Sequence, residues 1–426
     1  MKRFVFLFIC LAYAISAQVE SSEDVNISKF EPVFYTDFVQ YKTADDTTKI
    51  RLDVFFQVPY ANIQFVKRGD AFYAEYNLSV VFYEAKTDKV IFERIWKERI
   101  STTDFDETIS RKNFNMSYKS FPLEAGNYKI KCILEDTDSR KTHSYTYNVS
   151  VKKFNSDLAV SGILLVKDIM KNEKGDVIVP NVSRIVTNKD TTLRFYYEIY
   201  SSDAADAEIT YLLEHLDSES KIEEKRTISV NDGANIVYDS LSTLNFILGT
   251  YKLTMTVTDV NRNISAKTQK IVLSKITGLP NSITDIDKAI EQMIYIASPA
   301  DLAYIKEGKT YEERLTRFLA FWDKKKPNPK MTVNPIMNEY YRRVEYANKN
   351  FKAFGNEGWR TDMGMIYITF GPPSYVERHP FDPNSKPYEI WDYYELNRSF
   401  VFVDQTGFGD YRLLNPDYSR WPGYRY

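Results

Sequence analysis

A chain of 426 residues is too long for one hydrophobic core and calls for roughly two to four domains. Its 56 basic and 58 acidic residues nearly cancel, which excludes the broad basic footprint of a nucleic-acid-binding protein. With 32 Tyr and 27 Phe against 15 Gly, the composition favours strands over helices.

The first segment reads as a targeting signal. Lys2 and Arg3 precede an apolar run from Phe4 to Ile15, and the small residues Ala14, Ser16 and Ala17 follow, so a signal peptide over residues 1–17 is expected. That run is too short to span a bilayer, and no later stretch reaches ~18 apolar residues. Ile9 before Cys10 argues against a lipidated cysteine. Signal removal leaves Cys132 alone, so neither an intrachain disulfide nor a Cys-based zinc site is expected. Cys132 sits in an alternating run and reads as buried packing. The expected product is exported: periplasmic, outer-membrane-associated or secreted.

Next come two β-rich segments, expected as sandwich modules over residues 27–153 and 155–275. Ile50, Leu52, Val54, Phe56 and Val58 alternate with other residues, and Phe72, Ala74, Tyr76, Leu78, Val80 and Phe82 do so again. Between such runs, Lys67-Arg68-Gly69-Asp70 fits a hairpin turn better than an adhesion triplet. Gly126-Asn127-Tyr128-Lys129-Ile130 and Gly249-Thr250-Tyr251-Lys252-Leu253 begin matching eleven-residue patterns that close on Asp136 and Asp259. The same offset lays Phe72-Tyr73 on Phe195-Tyr196, which suggests a tandem repeat. Each Gly turn, alternating strand and Asp turn resembles the last hairpin of an immunoglobulin-like sandwich, without the Cys-Trp-Cys set of antibody domains. Such modules space or bind.

After the linker signal Gly278-Leu279-Pro280 the pattern turns helical, and residues 281–426 are expected as an α+β domain of four helices followed by a short antiparallel sheet. Ile286, Ile290, Met293 and Ala297 share one helix face. Ser298-Pro299 starts a second helix, and Thr310-Tyr311-Glu312-Glu313 reads as a capping box for a third. Asn334-Pro335 starts the fourth, with Ile336, Tyr340, Val344, Ala347 and Phe351 on its apolar face and Gly355 as its C′ residue. Gly358-Trp359-Arg360-Thr361-Asp362 follows. Met363 to Phe370 then reads as an alternating strand closed by Gly371-Pro372-Pro373, and strands are expected around Trp391, over 399–404 and at Tyr411-Leu414.

These residues resemble the GWxTD domain of bacterial exported proteins, named for the pentapeptide at 358–362. The resemblance extends from Phe321-Trp322 through Asn338-Glu339, Arg343, Tyr346-Ala347-Asn348, Gly364 and Gly371-Pro372-Pro373 to Trp391. It departs at Met363, where the pattern suggests Arg. It implies export, β-sandwich modules ahead of the domain and a source of the Bacteroidota type, and it supplies no catalytic residues.

No catalytic or metal-ligating set stands out, and no cofactor is expected. His143 and His215 lie in the repeated modules and His379 in a loop beside Pro380. Asp362, Glu389, Asp392 and Asp404 are the carboxylates that strand ends would bring together. The competing reading has Asp362 and Thr361 satisfying backbone donors and Trp359 anchoring the sheet. The candidate binding residues are Gly358, Trp359, Thr361, Asp362, Gly364, Gly371, Pro372, Pro373 and Trp391. The expected function is binding or scaffolding at the bacterial envelope, with an unidentified protein or glycan as partner and no nucleic acid. The alternative is a carboxylate-dependent hydrolase of envelope polysaccharide or peptide.

Overall fold

A computed structural model describes residues 32–414, apart from 44–47, 155–156, 173–174, 217, 281, 330, 332, 354 and 382–384. The expected signal segment 1–17 and the C-terminal aromatics Tyr418, Trp421, Tyr424 and Tyr426 lie outside the described residues. The chain is mostly β and divides into two compact units at Ser274/Lys275. Among the described residues, no helix is long and apolar enough to cross a membrane.

The first unit opens with β1 (Tyr35–Lys42), β2 (Ile50–Pro59), β3 (Val66–Arg68), β4 (Ala71–Glu84) and β5 (Val90–Thr102). The short helix α1 (Phe105–Thr108) leads to β6 (Phe114–Leu123), β7 (Gly126–Asp136) and β8 (Thr142–Val151). One sheet runs β1-β2-β6; the other runs β3-β4-β7-β8 with β5 also on β4. Both sheets bury alternate residues in one core, including Leu52, Val54, Phe56, Tyr76, Leu78, Ile130 and Cys132. Burial pushes the Cys132 thiol well above its ordinary pKa, which keeps it protonated and inert. Gly69, at φ +62°, occupies the tight turn between β3 and β4, as the hairpin reading requires.

The same unit continues with β9 (Leu158–Val160), β10 (Leu164–Asn172), β11 (Gly175–Pro180), β12 (Ile185–Thr187) and β13 (Leu193–Ser201). Then come β14 (Ala205–His215), β15 (Lys221–Val230), β16 (Gly233–Leu241), β17 (Gly249–Asp259) and β18 (Ile264–Lys275). Their sheets, β11-β10-β13-β16 with β9 on β13, and β12-β18-β17-β14-β15, share a second core. The two Gly-x-Tyr-Lys hairpins occupy equivalent places: Asp136 lies opposite Tyr76 on β4, and Asp259 opposite Ala207 on β14. The second half of the repeat signal fails. Phe72 opens β4, whereas Phe195 belongs to β13 in the opposite sheet; β4 and β14 are the true counterparts. Short alternating aromatic strands resemble one another by composition alone, which produced that match.

The sheet pairs meet over a third apolar cluster, Val39, Tyr41, Phe55, Leu164 and Val182. Strand β1 turns Phe38 into the first core and Asp37, Val39 and Tyr41 into this junction. There the Lys270 ammonium donates to Asp37 Oδ1 at 2.7 Å, with neither side chain exposed, and Arg184 Nε lies 3.8 Å from the same oxygen. Gly162 N–H donates to the Gln40 carbonyl at 2.9 Å, and Lys42 N–H to the Tyr200 hydroxyl at 2.9 Å.

The second unit begins with α2 (Ile286–Glu291), which runs into a 3-10 turn, Gln292–Tyr295. Next come α3 (Pro299–Lys306), α4 (Tyr311–Asp323) and α5 (Pro335–Asn350). Ser298 and Asp301 form a reciprocal capping box on α3. At α4, Thr310 caps Glu313 N–H, but the Glu313 carboxylate accepts from Lys309 N–H instead, so the expected box is half formed. Asn334 caps α5 and also donates to the Trp322 carbonyl at 2.6 Å, fastening α5 to α4. The buried face of α5 is Met337, Tyr340, Tyr341, Val344 and Ala347, while Ile336 is exposed. Helix α5 stops at Asn350, so Gly355, at φ +76°, serves a later turn and not its C′ position.

A further correction falls on the motif itself. After a 3-10 turn at Gly358–Arg360, residues Asp362–Phe370 form helix α6, not a strand. Thr361 caps it, and Met363 through Ile368 are all buried. A helix covered on every side shows no 3.6-residue period, and its Ile and Thr residues bias a local reading toward strand. The domain ends in the sheet β19 (Tyr375–His379), β20 (Tyr388–Tyr393), β21 (Arg398–Asp404) and β22 (Tyr411–Leu413), paired in that order.

Candidate functional site: the motif and its groove

Gly358 is where the chain crosses α5 at closest approach. A Cβ there would lie 1.9 Å from the Ala347 carbonyl oxygen, so only glycine fits. Gly364 repeats the device one turn later, where a Cβ would lie 1.9 Å from the Gly358 carbonyl oxygen. Thr361 joins the two: its hydroxyl donates to Gly358 O at 2.7 Å and accepts from Gly364 N–H at 3.0 Å.

Trp359 fills the space between α5 and the 3-10 turn before α3, with 1% of its surface exposed. Its N–H donates to Asn348 Oδ1 at 3.1 Å, its carbonyl accepts from Tyr295 at 2.9 Å, and its indole donates to Glu357 at 2.7 Å. Lys288, then the indole, outweighs partial burial and holds the Glu357 carboxyl below its ordinary range. Arg360, the variable position, lies over the indole at 4.1 Å and pairs with Glu291 at 2.9 Å. Gly371 ends α6 at φ +84°, where Arg343 donates to the last carbonyls, Ile368 O and Thr369 O. The exposed Pro372 and the half-buried Pro373 carry the chain from there into β19.

Three of the candidate residues, Thr361, Pro373 and Trp391, line one groove of about 420 Å³. Tyr346, Tyr367 and Tyr411 supply further aromatic wall. Tyr346 and Tyr367 stack at 4.3 Å, while Phe351 packs on both Tyr367 and Trp391. The polar lining includes Asn350, Lys352, Arg378 and Glu389. Arg378 Nε donates to Glu389 Oε1 at 3.1 Å, and the Trp391 indole donates to Oε2 at 3.0 Å. Gly358, Trp359, Asp362, Gly364, Gly371 and Pro372 do not line the groove. Tyr346, Tyr367, Arg378 and Tyr411 were not among the sequence candidates. Tyr346 was visible as part of the family resemblance; Arg378 and Tyr411 gave no advance signal beyond charged or aromatic identity on separate elements.

The four carboxylates do not converge. Asp362 accepts the Leu413 N–H at 2.8 Å, Asp392 accepts from Ser399, and Glu389 is held by Trp391 and Arg378. Asp404 accepts from Thr406, Gly407 and Gly409 N–H groups. Burial pushes its pKa up, but those donors outweigh it and leave the carboxyl below its ordinary range. His379 stacks on Tyr388 at 4.3 Å and pairs with Glu377, whereas His215 is buried against Tyr251 and the Leu248 carbonyl. Among the described residues, no three His, Cys, Asp or Glu are placed to hold one metal ion.

No curated protein matches the chain in sequence at a significant level. Among solved structures, red sea bream transglutaminase is similar at 11% identity and TM-score 0.18, covering 58% of this chain and 32% of that one. Bacteroides uniformis β-glucuronidase is similar at 10% identity and TM-score 0.22, covering 57% and 32%. A calcium-binding mutant of Bacteroides uniformis β-glucuronidase 2 gives 12%, 0.21, 56% and 28%. The chain thus spans about a third or less of those proteins, and likeness at this level carries no functional argument. The family comparison is direct: residues 258–414 match the GWxTD domain, spanning the 3-10 turn, α6, the groove and the sheet just described.

Proposed function

We propose that this chain is an exported, envelope-associated binding or scaffolding protein whose C-terminal domain recognises a protein or glycan through the groove beside the motif. The groove carries the reading. It sets the exposed Tyr346, stacked on the buried Tyr367, and the largely buried Trp391 beside the exposed Arg378 guanidinium and its half-buried partner Glu389, an arrangement suited to a flat, polar-edged ligand. The amino-terminal sequence supports export, and the family resemblance supports a bacterial envelope setting. In this reading residues 27–153 and 155–275 are immunoglobulin-like modules that space or bind, and 281–426 is the recognition domain. The alternative, a carboxylate-dependent hydrolase, has less to draw on, because Asp362, Glu389, Asp392 and Asp404 each accept from different donors.

The test is capture from envelope extracts by the full chain, beside an Arg378→Ala/Tyr411→Ala variant of unchanged melting temperature. A component retained by the native chain and lost with the variant is the expected result. Equal recovery by both, or nothing above a bare support, would overturn the proposal.

A further inference from the structure

The first unit holds a second recess, of about 430 Å³, where its two sheet pairs meet. One wall carries Gln57 from β2 and Arg111 from the loop before β6. The other carries Lys167 from β10, Asn181 from the turn after β11 and Arg194 from β13. Register explains the juxtaposition. Arg194 lies opposite Val166, beside Lys167, and heads the outward row of β13 that continues through Tyr196, Glu198 and Tyr200. That row faces the junction, with Tyr41 packed on Tyr196, and its cationic end opens into the recess.

Two cations that line this recess, Lys167 and Arg194, face one lining carboxylate, Asp190. Asp190 is already committed to its own loop, accepting from Thr187 N–H at 2.7 Å and Thr187 Oγ1 at 2.9 Å. Lys167 and Arg194 are both exposed, and neither has a carboxylate partner among the described residues. Lys167 lies 4.7 Å over the Phe114 ring, which orients it without neutralising it. On a protein of net charge −2, such a local excess selects for anions. The walls are also fixed in advance. The buried Asp37–Lys270 pair and the Gly162–Gln40 and Lys42–Tyr200 hydrogen bonds hold the two sheet pairs together. Binding therefore costs little ordering.

We infer that this recess binds an anionic saccharide, with Lys167 and Arg194 on its charged group and Gln57 and Asn181 among the amides facing its hydroxyls. The volume falls within the range of small-ligand sites, roughly 300–1,000 Å³, and exceeds what a lone carboxylate or phosphate needs. The cations, amides and hydroxyls set among its apolar lining residues disfavour a lipid tail.

The test is calorimetric titration of the full chain with a uronic-acid trisaccharide, a hexose phosphate and a neutral trisaccharide. Binding of either anionic sugar, weakened by salt and lost for the neutral one, is expected; which of the two binds identifies the charged group. Lys167→Gln/Arg194→Gln should weaken that binding at least about tenfold with an unchanged melting temperature, while Arg194→Lys retains most of it. The inference fails if neither anionic sugar binds, if the neutral one binds as tightly, or if the double variant is unaffected.

Discussion

The Asp362 carboxylate accepts the backbone N–H of Leu413 at 2.8 Å, across a separation of 51 residues. Asp362 opens α6 and Leu413 lies in β22, so one side chain fastens the motif to the last described strand. Asp362→Ala removes this acceptor and a favourable charge at the helix start, and should cost about 1–3 kcal/mol. Asp362→Asn keeps an acceptor and should cost less. Urea unfolding of both variants checks the ranking.

Gly358→Ala and Gly364→Ala should be among the most damaging substitutions in the domain. Each new methyl would meet backbone carbonyl oxygen, which cannot rotate aside as a side chain can. The expected loss is about 3 kcal/mol or more. Thermal melting checks it, with Gly355→Ala as the comparison: a Cβ there meets nothing within 4 Å, so only the backbone strain at φ +76°, about 1–2 kcal/mol, is added.

Trp359→Ala should destabilise the domain by about 3–5 kcal/mol, since the ring is buried and hydrogen-bonded. Trp359→Phe should cost less, losing the indole bond to Glu357 but keeping much of the packing. If either variant melts like the native chain, the ring is not the anchor described here.

Glu339 supplies a pH dependence. Arg342 first, then Arg343, outweighs partial burial and holds its pKa down to about 2. A carboxyl depressed on folding contributes stability above its unfolded pKa, and that contribution fades as pH falls through the folded value. The melting temperature should therefore drop between about pH 4.5 and 2, and Glu339→Gln should flatten part of that slope. Melting curves across that window provide the check.

Lys270→Met leaves Asp37 buried without its nearest cation and should cost about 3–5 kcal/mol. The double variant Asp37→Leu/Lys270→Met removes both charges of the pair but takes the carboxylate from the buried Arg184 as well, so it should recover only part of that loss. A double-mutant cycle by urea unfolding measures the coupling; additive losses would mean the pair is not a unit.

What the sequence made legible follows from how each element is covered. Strands β2 and β4 announce their buried rows at Leu52, Val54 and Phe56 and at Tyr76, Leu78 and Val80, because alternation reports a single core face. Helix α6 is covered all round and lost its period, and so its type. Nothing in the local sequence marks Asp37 and Lys270 as buried, because another sheet pair covers them only in the fold. At the site, Trp391 was visible by residue type. Tyr346, Arg378 and Tyr411 come together only through tertiary folding, which no spacing rule encodes.

The Asp362–Leu413 fastening also has a bearing on timing. A ribosome delivers the motif well before it delivers Leu413, so α6 emerges while the Leu413 donor is still unmade. Closing so long a loop is slow compared with forming the local cap between Thr361 and Gly364. Until β22 arrives, Phe402 lacks the strand that pairs with it, and the half-built sheet presents an open β21 edge. Nascent chains stalled before residue 411 should accordingly be more sensitive to proteolysis in this region than finished ones, which makes the last described strand the step that commits the domain to its native form.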